Sequence, residues 1–203
     1  MYTTAVKYIN MTVNVEYYQA QWLGETYIKA TEDIFAQVDA YLGKGPKRIL
    51  DIGCGFANVS KQFQEKYGSE LWLLDGDMIT NPEDAKRVNK FGPVDDFQFY
   101  TPVSDLKAQW DRQGMQYTFV DANNISIPED VKFDFVCSWI SCGFHYPVGV
   151  YKDLIKKHTT EDSVVIMDFR RKSLFLQQQD FEIVKRLDGE QVQKKYRLHI
   201  KLV

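Results

Sequence analysis

The chain has few cysteines, little glycine or proline and no long apolar run. The shortage of cysteine and of apolar runs each argues against a class of protein. Its three cysteines form neither an even set nor a CxxC pair, which argues against a disulfide scaffold and against a structural zinc site. No stretch approaches the roughly 18 apolar residues of a membrane span, and the first residues lack the pattern of a signal peptide. We therefore expect a soluble, cytoplasmic protein without a bound metal.

Composition and charge narrow the class further. Hydrophobic residues make up 44% of the 203 residues and charged residues 26%, which is typical of one globular domain. The net charge of -3 argues against a protein that grips many phosphates of a nucleic acid, because such binding relies on Lys and Arg. Residues 170–203 nevertheless carry nine Lys or Arg against four acids. This stretch could face a phosphate-bearing ligand, although a solvated hairpin is the commoner outcome.

Short apolar runs alternate with segments of helical periodicity. The predicted strands are 48–52, 71–74, 117–120, 133–137 and 163–167. The predicted helices are 16–42, 56–67, 104–113 and 148–158, with a further polar helix at 82–90 and an aromatic stretch at 97–100. The alternation favours an α/β protein with a mostly parallel sheet. Residues 181–187 and 195–203 flank an Asp188-Gly189 turn and predict a C-terminal antiparallel hairpin.

A tight glycine turn, Gly53-Cys54-Gly55, follows the first predicted strand. In an open parallel sheet ligands sit beyond the carboxyl ends of the strands, and glycines there let the backbone approach a ligand. A dinucleotide-binding turn would have a third glycine where Asn58 stands, and no phosphate-cradling lysine follows. Instead Asp51 precedes the turn and Asp75 ends the second strand, where a carboxylate can accept hydrogen bonds from two ribose hydroxyls.

At these residues the sequence resembles the class I S-adenosylmethionine-dependent methyltransferases, whose first motif ends a strand as acid-x-Gly-x-Gly. The resemblance continues in order along residues 45–203. Asp75 matches the ribose-binding acid, with Asp77 as a rival, and Asp121-Ala122 matches the adenine-recognising pair, with Asn123 as a rival. Residues 133–138 match the fourth strand, which ends at Ser138.

The resemblance implies a Rossmann-like fold with a seven-stranded sheet, and S-adenosylmethionine as cofactor, with S-adenosylhomocysteine as its product. The cofactor-binding residues that it implies are Asp51, Gly53, Cys54, Gly55, Asp75, Asp77, Asp121, Ala122 and Ser138.

The loop predicted at 138–147 is the candidate reacting side of the site. His145 is placed there as a general base, and its alternative is a structural histidine that caps the next helix. Tyr146 accompanies it, and Trp139 forms a pocket wall or packs in the core. We read Cys142 as a packing residue, because methyl transfer requires no covalent intermediate.

The segment 141–147 also bears a weaker resemblance to bacterial and phage-borne sugar or polysaccharide O-methyltransferases. Phe144-His145-Tyr146 is similar to the pair with which messenger-RNA cap methyltransferases contact guanine. These resemblances favour O-methylation of a small-molecule or saccharide acceptor. An RNA methyltransferase and a non-catalytic donor-binding partner subunit stay open as alternatives, with nucleic acid the less favoured partner.

Residues 1–44 form a predicted helical extension ahead of the domain at 45–203. Tyr17, Tyr18 and Trp22 lie in it, and in many relatives such a helix closes over the donor as a lid. An aromatic ring beside a sulfonium gains on the order of 0.5–2 kcal/mol of cation–π energy. The alternative is an amphipathic helix packed on the sheet.

Overall fold

The computed structural model describes residues 23–77, 101–188 and 195–203. Its helices are α1 (Glu25–Leu42), α2 (Asn58–Tyr67), α3 (Val103–Arg112) and α4 (Lys152–His158). Its strands are β1 (Arg48–Ile52), β2 (Glu70–Asp75), β3 (Tyr117–Asp121), β4 (Phe135–Ser138), β5 (Ser141–Tyr146), β6 (Val164–Arg170), β7 (Phe181–Arg186) and β8 (Lys195–Leu202). The predictions at 82–90 and 97–100, and those for Tyr17, Tyr18 and Trp22, lie outside the described residues.

Seven of the strands form one sheet in the order β3-β2-β1-β4-β6-β8-β7. The pairs from β3 to β6 are parallel, whereas β8 runs antiparallel to both β6 and β7. The predicted mostly parallel α/β sheet with a C-terminal hairpin is therefore confirmed. The strand order reverses between β1 and β4, and this switch point opens a crevice at the carboxyl ends of the two strands.

The central strands β1, β2 and β4 are buried on both faces, so they carry apolar residues in nearly unbroken runs. Ile49 and Leu71 point to one face, where they pack with residues of α1, α2 and α3. Leu50 and Trp72 point to the other face, where Ile155 of α4 covers them. Helix packing on both faces leaves the carboxyl edge of the sheet for a ligand.

Helix α1 is held against α2 and β8 by polar contacts. Asp39 accepts hydrogen bonds from Lys66 Nζ and Tyr67 Oη of α2, at 2.7 and 2.6 Å. Gln37 Oε1 accepts a hydrogen bond from Arg197 Nη1 at 2.7 Å. Further along both elements Tyr41 Oη contacts His199 Nδ1 at 2.8 Å, so the amino end of α1 points to the carboxyl edge of the sheet. None of the helices in the described ranges is long and apolar enough to cross a membrane.

Two elements differ from the sequence-based expectation. Residues Ser141–Tyr146, predicted as loop, form β5, in which Cys142, Phe144 and Tyr146 alternate with less apolar residues. The helix predicted over 148–158 is split into a 3-10 turn at Val148–Val150 and α4, which begins only at Lys152. The loop between β4 and β5 is consequently short, which makes it a rigid part of the site.

Candidate functional site

A cavity of about 360 Å³ lies at the carboxyl edge of the sheet, within the range of small-molecule sites. Six parts of the fold line it: α1, the glycine turn with the start of α2, the tip of β2, the first half of α3 with the residue Thr101 before it, the β4–β5 segment, and the first residue of β8. The described lining residues are Tyr27, Ala30, Thr31, Ile34, Gly53, Cys54, Gly55, Phe56, Asn58, Val59, Asp75, Thr101, Leu106, Trp139, Ile140, Ser141, His145, Tyr146 and Lys195.

The glycine turn is fixed by hydrogen bonds to its neighbours. Gly53 and Cys54 donate their N–H groups to Leu74 O at 2.7 and 3.2 Å, and Gly55 donates its N–H to Asp75 Oδ2 at 2.7 Å. Trp110 Nε1 of α3 donates to Gly55 O at 3.1 Å. All three N–H groups of the turn thus have protein partners, so the glycines contribute an unobstructed surface and not a set of ligand donors. Sequence reasoning missed Trp110, which carried no signal beyond helical periodicity.

Asp75 closes the turn from the tip of β2 and faces the cavity. Its Oδ2 accepts the Gly55 N–H and its Oδ1 accepts the Gly76 N–H at 2.8 Å. Oδ2 is also 3.8 Å from Cys54 Sγ, a weak thiol donor, so Oδ1 is the oxygen that keeps an open acceptor position for a ligand hydroxyl. Burial raises the pKa of Asp75 to about 6, although the two backbone hydrogen bonds oppose this rise. The group is therefore mostly ionised at neutral pH.

Asp51 lies beneath the turn and does not line the cavity. Its Oδ2 accepts a hydrogen bond from Ser60 Oγ at 2.6 Å, whereas Oδ1 is buried without a partner among the described residues. Burial, together with the nearby Asp75 charge, raises the pKa of Asp51 to about 7, although the Ser60 hydrogen bond opposes the rise. Such a carboxyl group can hold a proton near neutral pH.

The β4–β5 turn lies directly against the glycine turn. A Cβ on Gly53 would fall 1.7 Å from Ser141 Oγ, so only glycine fits at this contact. Ser138 fastens the base of the turn, because its Oγ donates to Ile52 O at 2.7 Å and accepts the Cys142 N–H at 2.8 Å. Ile140 has a φ of 55°, a strained conformation for a β-branched residue, and it lines the cavity.

His145 and Tyr146 follow on β5, and both line the cavity. Burial, together with the positive charge of Arg170, lowers the pKa of His145 to about 4. The ring of Phe144 lies edge-on to His145 and stacks under the Arg170 guanidinium, whose Cζ is 4.4 Å from the ring centre. The imidazole is therefore neutral at physiological pH and able to accept a proton.

The amino half of α1 forms the wall of the cavity opposite the glycine turn. Tyr27, Ala30, Thr31 and Ile34 line it from there. Burial, with the Asp51 and Asp168 charges, raises the pKa of Tyr27 to about 12, so its hydroxyl stays protonated. The sequence analysis assigned the lid to residues earlier in the chain and missed Tyr27. Its place on a helix could be predicted, but the direction of its side chain could not.

The fold of the chain is similar to those of several solved structures. No protein-family model matches the chain, and a search of curated proteins finds no match. Among solved structures, the PH0226 protein of Pyrococcus horikoshii OT3 is similar over 93% of this chain and 99% of its own, with 14% identity and a TM-score of 0.64. A methyltransferase from Pyrococcus furiosus is similar over 85% and 83%, with 12% identity and a TM-score of 0.54.

A third structure, a T. thermophilus 16S rRNA methyltransferase solved with AdoMet and guanosine, is similar over 86% of this chain and 43% of its own. Its identity is 13% and its TM-score 0.53. The chain has the class I methyltransferase fold. In that fold the cavity lies where the resemblance in sequence places the donor, at the switch point between β1 and β4.

Several residues that the resemblance assigned to donor binding do not line this cavity. Asp77 Oδ1 accepts the Val103 N–H at the start of α3, at 3.0 Å. Asp121 Oδ1 accepts the N–H of Asn123 at 2.8 Å, and the Ala122 N–H donates to Asp75 O at 2.8 Å. These groups have structural partners, and Asp75 is thus the acid of the two candidates that faces the cavity.

Two of the cysteines also differ in whether they line the cavity. Cys54 lines the cavity, and burial raises the pKa of its thiol well above the usual value, so it stays protonated. Cys142 is fully buried in the core and its pKa is raised to about 12, which confirms the expected packing role. Neither thiol has the lowered pKa of a nucleophile.

Proposed function

We propose that the chain is an S-adenosylmethionine-dependent methyltransferase that binds the donor in this cavity, with the ribose on Asp75. The observation that carries the proposal is the pairing of Asp75 with the glycine turn. A buried carboxylate at the tip of β2 keeps an open acceptor position on Oδ1, beside a turn whose backbone surface is open to the cavity. The family's donor site combines these two features, and neighbours with the same fold are methyltransferases.

The proposed acceptor is a small molecule or saccharide, and O-methylation is the favoured reaction. When bound, the donor supplies an electrophilic methyl group on a sulfonium. The protein then aligns the acceptor for an in-line displacement and removes its hydroxyl proton. His145 is the proposed base, because its imidazole is neutral and lines the same cavity as Asp75. Trp139 and Tyr146 are proposed to hold the acceptor between aromatic walls.

Donor binding is tested by replacing Asp75. Asp75→Ala should weaken S-adenosylhomocysteine binding by about 1–3 kcal/mol, the loss for hydrogen bonds to a charged group. The thermal shift that saturating ligand gives to the wild type should shrink accordingly. Asp77→Ala is the matched control, since Asp77 caps α3 outside the cavity lining, and it should keep the shift. Equal shifts for wild type and Asp75→Ala would remove Asp75 as the ribose ligand.

Catalysis is tested with a pool of metabolites and RNA, in which methyl transfer appears as a mass gain of about 14 daltons. His145→Ala should lower turnover by roughly 10²–10⁴-fold without changing donor affinity, because proton removal contributes only in the transition state. Methylation of RNA alone would favour the guanine-directed alternative. Donor binding without any product would favour a non-catalytic partner subunit.

A further inference from the structure

A lysine enters the cavity from the side of the sheet opposite Asp75. Lys195 is the first residue of β8, where it pairs in register with Arg170 at the end of β6. Both Lys195 and Asp75 line the cavity. Four strand intervals separate β2 from β8, which at about 4.8 Å each corresponds to about 19 Å along the sheet edge.

The surroundings of Lys195 carry an excess of positive charge. Its Nζ donates to Asp168 Oδ2 at 2.7 Å, but Asp168 is already paired with Arg197. Arg197 Nε donates to Asp168 Oδ1 at 2.9 Å and Nη2 donates to Oδ2 at 3.2 Å. One buried carboxylate therefore faces two cations. The fork of Arg197 alone matches the charge and the geometry of Asp168.

Lys195 retains donor capacity toward the cavity. An ammonium group has three N–H donors, and only one of them is used on Asp168 among the described residues. The side chain keeps 21% of its surface exposed, whereas Asp168 is fully buried and Arg197 nearly so. The ammonium of Lys195 is thus the cation of this cluster that a ligand in the cavity can reach.

We propose that Lys195 binds an anionic group of the methyl acceptor, a carboxylate or a phosphate. This inference rests on the proposed function and specifies its substrate class. The excess cation attracts an anion into a partly desolvated cavity, where a charge-assisted hydrogen bond is stronger than in water. Arg170, the register partner of Lys195, adds positive charge beside His145. Lys195 and His145 line the same cavity, so an acceptor held at Lys195 lies in the cavity that contains the proposed base.

The strand order separates this subsite from the ribose. A donor with its ribose on Asp75 and its sulfonium over the turn after β1 extends from β2 toward β4, and Lys195 lies two strands beyond β4. The donor also carries a carboxylate, so the test must tell the two anions apart. Donor affinity provides this distinction, because it is measured without any acceptor.

The experiment is calorimetric titration of the S-adenosylhomocysteine-saturated protein with benzoate, phenyl phosphate and neutral phenol. Wild type should bind at least one of the two anions about tenfold or more tightly than phenol, and the tighter anion identifies carboxylate or phosphate as the preferred group. Lys195→Met should weaken that anion about tenfold while leaving the affinity for S-adenosylhomocysteine unchanged. Lys201→Met, on the same strand at its exposed far end, is the control and should bind like wild type. Melting temperatures report whether each variant folds, and Lys195→Arg should restore anion binding if Lys195→Met is unstable.

Phenol binding as tight as that of both anions, or no binding of either anion at millimolar concentration, would overturn the inference. A parallel loss of S-adenosylhomocysteine affinity in Lys195→Met would also overturn it, because Lys195 would then hold the donor carboxylate. Failure of wild type to bind S-adenosylhomocysteine refutes the proposed function instead. The anion titrations on the ligand-free protein would then judge the subsite by itself.

Discussion

Gly53→Ala tests the contact between the glycine turn and the β4–β5 turn. Gly53 has a φ of 66°, and a side chain there costs about 1–2 kcal/mol from backbone strain alone. The new Cβ would also fall 1.7 Å from Ser141 Oγ and 2.6 Å from Ser141 Cβ, so the β4–β5 turn must shift. Such overpacking costs about 1–3 kcal/mol. The sum predicts a loss of about 2–5 kcal/mol in the free energy of unfolding.

The assay is urea denaturation followed by circular dichroism, with two matched variants. Gly55→Ala has the same kind of backbone strain, at a φ of 51°, but its Cβ would meet nothing within 4 Å. It should therefore lose only about 1–2 kcal/mol. In a Ser141→Gly background, Gly53→Ala should cost no more than Gly55→Ala, because both clashing atoms are gone. Equal losses for Gly53→Ala with and without Ser141 would refute the steric argument.

Three further predictions concern the pH profile, the buried acid and the support of β5. Burial and Arg170 lower the pKa of His145 to about 4, and the neutral imidazole is the active form. The rate of methyl transfer should therefore be constant from about pH 6 to 8 and fall only toward pH 4. A rate that titrates near pH 6.5 would contradict this. Burial raises the pKa of Asp51 to about 7 in the folded state. The free energy of unfolding should therefore fall as pH rises from about 4 through 7, by up to about 1.4 kcal/mol per pH unit. Urea melts of Asp51→Asn should lack this part of the slope. Gln177 is fully buried, accepts the Val148 N–H at 2.8 Å and donates to Gly143 O at 3.0 Å. Gln177→Ala should therefore cost about 1–3 kcal/mol of stability and reduce turnover without changing donor affinity. Unchanged kinetics in a folded variant would show that β5 needs no such support.

The fold was largely predictable from periodicity. The buried runs ending at Asp51-Ile52 and at Leu74-Asp75 carry enough apolar residues to identify parallel strands, and the structure pairs them in parallel. β5 was missed although Cys142, Phe144 and Tyr146 alternate, because a six-residue alternation that contains Gly143 and precedes Pro147 also fits a loop. The short turn before it, closed by Ser138 and by the approach of Ser141 to Gly53, is a tertiary feature.

The candidate site was predictable only in part. Asp75 and the glycine turn lie at strand ends, which can be read from a sequence, whereas His145 was expected in a loop and lies within β5. Which acid of a pair faces the cavity depends on backbone direction, as the capping role of Asp77 illustrates. Tyr27 and Lys195 come from elements remote in sequence, and no local pattern indicates that the sheet brings them to one cavity.

The central claim is that this cavity binds the methyl donor, and titration calorimetry of the purified chain with S-adenosylhomocysteine tests it most directly. The account predicts saturable binding of one molecule per chain, competed by S-adenosylmethionine and weakened roughly 5-fold to 150-fold by Asp75→Ala. Absence of binding heat at several temperatures, for a chain that is folded by circular dichroism, would contradict it.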